Sequence, residues 1–141
     1  MDDWKQNLGS FFEKEVSKSK EELPEFDQFI LDVVIPAMQE IAAELKLHGR
    51  DVTVRNSQSS AAVIVCKDGD EEMTYRIQGR TFPNAVLPFA EVRFRQRKGR
   101  KLVTVESMFR SGAPGYKLSD ITKEEVIQHF VENYTTRVQR D

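Results

Sequence analysis

The sequence predicts an α+β fold in which helices at both ends of the chain pack on one face of an antiparallel sheet. Before residue 48 and after residue 121, apolar residues recur at helical spacing. Between residues 51 and 110 they alternate with polar residues in short runs, separated by Asp-Gly and Lys-Gly dipeptides that are typical of hairpins. A chain of 141 residues is expected to form a single domain over residues 1–141.

The longest predicted helix covers residues 24–47. Pro24 suits its first turn, Gly49 suits its C-terminal stop, and Pro36 predicts a kink because proline removes one backbone donor. The helix has one apolar stripe, which consists of Phe26, Ile30, Val33, Val34, Ala37, Met38, Ile41 and Leu45.

A shorter helical segment precedes it within residues 1–22. Its apolar stripe consists of Trp4, Leu8, Phe11, Phe12 and Val16, and the charged stretch SKSKEE separates it from the long helix. We expect this stripe to pack on the core. The alternative is that the segment is separable and docks on a partner or exchanges with a second copy of the chain.

The middle of the chain predicts four or five strands in sequence order. Short connections favour an antiparallel meander over a parallel sheet. The strand sequences are DVTV, AAVIVCK, EMTYRIQG, FAEVRFRQ and KLVTVESMF. Cys66 lies in the apolar run AAVIVC, which predicts a small core residue.

The C-terminal helix has the clearest start signal in the sequence. After a loop that contains SGAPG, Thr122 and Glu125 form a capping box, and Ile121 and Val126 supply the hydrophobic staple. The apolar face continues through Ile127, Phe130, Val131, Tyr134 and Val138.

The stretch VRFRQRKGRK, residues 92–101, places six basic residues in ten positions. A two-residue turn at Lys98-Gly99 would set Val92 opposite Val105 and Phe94 opposite Val103, so that the apolar pairs share the core face. The same register sets Glu91 opposite Glu106. Their repulsion predicts a salt-bridge network on the outer face in which Arg93 lies diagonal to Glu106.

Charge is distributed unevenly along the chain, although the overall net charge is only −2. Residues 1–48 carry a net charge of −6, residues 49–110 carry +5 and residues 111–141 carry −1. This asymmetry indicates an acidic helical part beside a basic sheet.

The preferred functional hypothesis is a non-enzymatic interaction module, in which the polar sheet face and the basic hairpin bind an acidic protein surface or a second copy of the chain. Arg55 and Arg76 would extend this surface. The candidate binding residues are Arg93, Arg95, Arg97, Lys98, Arg100 and Lys101. The alternative is a nucleic-acid-binding accessory protein that uses the same residues as phosphate contacts. For the basic hairpin alone, the favoured interpretation is that its charges solvate the hairpin and protect an exposed sheet edge.

Enzymatic activity is the least favoured class. A hydrolase using Glu91 and Glu106 would require further acidic ligands that the sequence does not place. Neither His48 nor His129 belongs to a metal-binding motif, and no cofactor or metal is expected. The sequence contains no secretory signal pattern and no apolar stretch of membrane-spanning length, and its single cysteine suits a reducing compartment, so a cytoplasmic protein is expected.

Overall fold

Five antiparallel strands form one sheet in the order β1-β2-β3-β4-β5, which is also their order in the sequence. The computed structural model describes residues 24–82, 85–95, 101–109 and 118–138. Three predicted features lie outside these residues, namely the N-terminal apolar segment, the turn at Lys98-Gly99 and the loop containing SGAPG. The helix, meander and helix order confirms the predicted α+β class.

The strands agree with the alternating segments of the sequence. Their bounds are β1 Asp51–Ser57, β2 Ser60–Lys67, β3 Asp70–Phe82, β4 Ala85–Arg95 and β5 Leu102–Met108. Between β2 and β3, Asp68 and Gly69 both have positive φ angles, of 53° and 84°. A type I′ hairpin turn requires this conformation at both positions, and Asp-Gly adopts it with little strain.

The long N-terminal helix is interrupted by a π-helical segment. Helix α1 spans Pro24–Phe29, the π-helical segment spans Ile30–Val34, and helix α2 spans Ile35–Leu47. The backbone N–H of Ile35 bonds to the carbonyl of Ile30, five residues back. Pro36 follows in the first turn of α2, where its missing N–H costs least. The interruption thus occurs where the sequence predicts a kink.

The core lies between these helices and one face of the sheet. The strand alternation places Val63, Tyr75, Val92 and Val105 in a single row across β2 to β5 on this face. Six residues of the predicted helical stripe are buried against the sheet: Phe26, Ile30, Val34, Ala37, Met38 and Ile41. By the same alternation Cys66 faces away from the core and is only partly buried, so its prediction as a core residue is wrong.

The C-terminal helix packs on the same sheet face. After a 3-10 turn at Leu118–Asp120, helix α3 spans Lys123–Arg137. Thr122 Oγ1 accepts the predicted capping bond from the Glu125 backbone N–H at 3.2 Å. Val131 was predicted on the apolar face but is about half exposed, whereas Asn133 is buried. Among the described residues, no helix is long and apolar enough to span a membrane.

The opposite face of the sheet is called the outer face below. It is mostly polar, as predicted, but two apolar residues of β4 lie on it and are buried. Leu87 is 1% exposed and Phe89 is 7% exposed. Phe89 lies under the guanidinium of Arg80, which is 4.3 Å from the ring centroid. The prediction of a uniformly polar outer face therefore fails at this end of β4.

Gly79 lies where β3 and β4 approach helix α1. A Cβ atom at this position would lie 2.7 Å from Val86 Cγ1 and 3.1 Å from Phe26 Cζ. We expect Gly79→Ala to lower the free energy of unfolding by about 1–3 kcal/mol, because overpacking of this kind forces neighbours to move. Urea denaturation measures the change.

The matched test repeats the substitution in a Val86→Ala background, in which the nearest clashing atom is absent. Gly79→Ala should cost less there than in the wild type. An equal cost in both backgrounds would contradict the steric explanation.

Candidate functional site

The predicted binding residues are only partly available to a partner. Arg93 donates two hydrogen bonds to the Glu71 carboxylate, at 2.7 and 2.6 Å. These bonds lower the pKa of the Glu71 carboxyl, which keeps the pair charged. Arg95 Nε donates to the Glu71 carbonyl at 2.9 Å, and Lys101 is exposed. The other three candidates, Arg97, Lys98 and Arg100, lie outside the described residues.

The facing glutamates Glu91 and Glu106 occur in the predicted register. Their neutralisation differs from the prediction: Arg80, and not Arg93, forms the ion pair with Glu106. Arg80 reaches it across the ring of Phe89. Within the described ranges, no group of three or more His, Cys, Asp or Glu side chains is placed to hold a metal ion. Glu106 thus belongs to an ion pair on the outer face, whereas Glu91 forms none among the described residues.

Two other arginines of the outer face are exposed and take part in none of the ion pairs between described residues. Arg55 lies on β1 and Arg76 on β3, and each is directly opposite Ala62 of the intervening strand β2. The sequence suggests both only as extensions of the basic hairpin. Because the other described arginines of this face make contacts with Glu71 or Glu106, Arg55 and Arg76 are its most available cations.

A second candidate site is a chain of hydrogen bonds between helix α3 and the sheet. The hydroxyl of Tyr75 lies 2.5 Å from His129 Nδ1, and Ser107 Oγ lies 2.9 Å from His129 Nε2. Phe109 stacks on the imidazole, with ring centroids 4.3 Å apart. A serine, a histidine and a third group that orients the histidine form the arrangement used by nucleophilic hydrolases. The sequence does not reveal this cluster, because its members are far apart in the chain.

The direction of the hydrogen bonds argues against an activated serine. Tyr75 is fully buried, burial raises the pKa of its phenol, and among the described residues His129 Nδ1 is the one hydrogen-bond partner of its hydroxyl. The Tyr75 hydroxyl therefore donates to Nδ1, since a buried donor without an acceptor is costly. Nε2 then carries the proton of the neutral imidazole and donates to Ser107 Oγ. In this tautomer His129 cannot accept the serine proton, so the cluster fastens α3 to the sheet.

A third polar cluster links α3 to the sheet near the C-terminal end of the helix. The Tyr134 hydroxyl donates to the Glu72 carboxylate, and Arg50 Nε donates to the same group at 3.1 Å. Burial raises the pKa of the Tyr134 phenol to about 12, and the hydrogen bond to Glu72 adds to the rise. The phenol stays protonated at neutral pH, so it acts here as a hydrogen-bond donor and not as a base.

Comparisons with known proteins give no match: no protein-family model matches this chain, and no similar curated protein or solved structure was found.

The hydrogen bonds of His129 predict a pH-dependent stability. Burial lowers the pKa of the His129 imidazole below its usual 6.5. The unfolded chain therefore binds this proton more readily, so the stability is fully present above about pH 6.5 and is lost as the pH falls through the folded-state pKa. Protonation of Nδ1 leaves the buried Tyr75 hydroxyl without an acceptor, at a cost of up to about 1–3 kcal/mol. Thermal unfolding between pH 5 and 8, a range chosen to bracket the usual histidine pKa, measures the loss.

His129→Gln should remove this part of the acid dependence. Tyr75→Phe should reduce it, because no phenol proton then competes for Nδ1. The matched control is His48→Gln, since the His48 imidazole is exposed at the end of α2 and hydrogen-bonds to the Glu44 side chain. If the thermal stability of His129→Gln falls with decreasing pH as much as that of the wild type, the explanation is wrong.

Proposed function

We propose that this protein is a binding module for an acidic protein partner, and that the outer sheet face receives this partner. The described helices pack on the opposite face, which leaves the strand side chains of the outer face as the candidate contact surface. The observation that carries the proposal is the presence on this face of two exposed arginines, Arg55 and Arg76, that have no ion-pair partner among the described residues. Their charge remains available for a ligand.

The outer face is less suited to nucleic acid. Glu91 and Glu106 lie in the same cross-strand row as the two arginines, so a phosphate backbone that follows this row would meet negative charge. Phe89 on this face is buried, whereas single-stranded nucleic acids are bound by exposed aromatic stacking. A protein partner can place discrete carboxylates against the arginines and avoid the glutamates.

A second copy of the chain is one acidic partner of this kind. Residues 1–48 carry a net charge of −6 and residues 49–110 carry +5, so two copies offer complementary charge to each other. Sedimentation equilibrium of the wild-type protein at low and physiological salt distinguishes this form of the proposal from binding to a different protein.

The proposed function is tested by comparing the affinities of the protein for two anionic ligands. Fluorescence anisotropy compares labelled poly-L-glutamate with a single-stranded oligonucleotide of equal charge, at low and at physiological salt. We expect the wild-type protein to bind the polypeptide more tightly than the oligonucleotide. Tighter binding of the oligonucleotide, with a steep salt dependence, would favour the nucleic-acid alternative.

The contribution of the basic hairpin is measured with Lys98→Glu/Lys101→Glu, which reverses two hairpin charges. Partial loss of poly-L-glutamate binding would show that the hairpin contributes to the same surface. A wild-type protein that binds no poly-L-glutamate even at low salt would refute the proposed function.

A further inference from the structure

Two exposed arginines of the outer face form no ion pair with any described residue, and a residue with almost no side chain separates them. Arg55 and Arg76 are the direct cross-strand neighbours of Ala62, one on each side. Neighbouring strands are about 4.8 Å apart, so the two arginine Cα atoms lie roughly 10 Å from each other. Ala62 ends at Cβ, so its side chain does not separate the two exposed arginine side chains; because its methyl is only 3% exposed, a ligand would contact the arginines and not Ala62.

Within the described part of the chain, neither Arg55 nor Arg76 forms an ion pair with a carboxylate. Glu91 is the cross-strand neighbour of Arg76 on β4, but the two do not form an ion pair. Glu71 is occupied by Arg93, and Glu106 by Arg80. No described carboxylate therefore forms an ion pair with Arg55 or Arg76, and an external anion placed between the guanidinium groups would gain charge-assisted hydrogen bonds from both.

We propose that Arg55 and Arg76 form a two-arginine clamp that binds one carboxylate of an extended acidic segment of the partner protein, above Ala62. This inference rests on the proposed function and specifies its contact residues. A planar carboxylate matches the fork of donors on a guanidinium, and two such forks at this spacing can hold one carboxylate from opposite sides.

The surroundings of the clamp favour a peptide carboxylate. On one side of the Ala62 row lie the neutral polar residues Ser57, Ser60 and Gln78, which leave room for an extended chain without like-charge repulsion. Along the row itself, Glu91 and Glu106 follow Arg76 toward the far edge of the sheet. They would repel further negative charge placed along the row, so an acidic segment is expected to cross the row at the clamp and to run parallel to the strands.

The test uses a labelled synthetic peptide rich in glutamate and compares variants that fold equally well by circular dichroism and thermal unfolding. Arg55→Gln/Arg76→Gln should weaken binding at least about tenfold, a loss of 1.4 kcal/mol. Arg55→Lys/Arg76→Lys keeps both charges but removes the paired donors, and should bind with intermediate affinity. The matched control Lys46→Gln/Lys67→Gln removes the same charge from exposed positions elsewhere and should leave affinity within about twofold.

A direct readout is the NMR signal of the arginine side chains. The Nε–Hε resonances of Arg55 and Arg76 should shift on titration with the peptide, while that of Arg80, held by Glu106, should not.

The outcomes separate the clamp from the proposed function. Wild-type affinity in Arg55→Gln/Arg76→Gln would overturn the clamp and leave the proposed function standing. Equal losses of affinity in Arg55→Gln/Arg76→Gln and in the control Lys46→Gln/Lys67→Gln would also overturn the clamp, because total charge would then explain binding. Failure of the wild-type protein to bind the peptide would overturn both. Tighter binding of an oligonucleotide, lost in the glutamine variant, would assign the arginines to phosphate and contradict the clamp.

Discussion

The register of the antiparallel sheet is the constraint on which the rest of the structure depends. Val63, Tyr75 and Val92 lie directly opposite one another on neighbouring strands, and this row faces the helices. Because side chains alternate along a strand, a slip of one residue would exchange the two faces. The register that buries these residues therefore also places Arg55 and Arg76 on the outer face. Core formation and presentation of the arginines are consequences of one pairing.

A β-bulge modifies this alternation at one position, and helix α3 uses the change. Between Val65 and Cys66 the pairing with β3 shifts by one residue, which leaves Glu72 as the extra residue beside Met73. Met73 is buried in the core, and Glu72 reaches Arg50 and Tyr134 on the same side of the sheet. Glu71 remains on the outer face with Arg93. The bulge thus divides two consecutive glutamates between a helix anchor and a surface ion pair.

The features predicted correctly are those that short-range patterns determine. Alternation predicts the pairing of Phe94 with Val103, and the spacing of Thr122 and Glu125 predicts the start of α3. Arg80 was not assigned to Glu106 because the alternating pattern of β3 ends near Gly79, before the observed strand does. The hydrogen bonds of His129 were not predictable, since Tyr75 and Ser107 are 54 and 22 residues away in the sequence and only tertiary packing brings them together. The β-bulge at Glu72 was not predictable either, because no residue type at this position marks it in the sequence.

The distribution of ion pairs, more than the number of basic residues, decides which surface is available for binding. The stretch VRFRQRKGRK dominates the sequence by charge density, yet Arg93 and Arg95 both contact Glu71. A contact of this kind must be given up before the guanidinium can bind a partner, which reduces the gain in affinity. Arg55 and Arg76 have no ion pair to give up among the described residues, although neither belongs to a basic run in the sequence. An exposed arginine that forms no ion pair among the described residues is therefore a better binding candidate than Arg93, whose charge is already paired with Glu71.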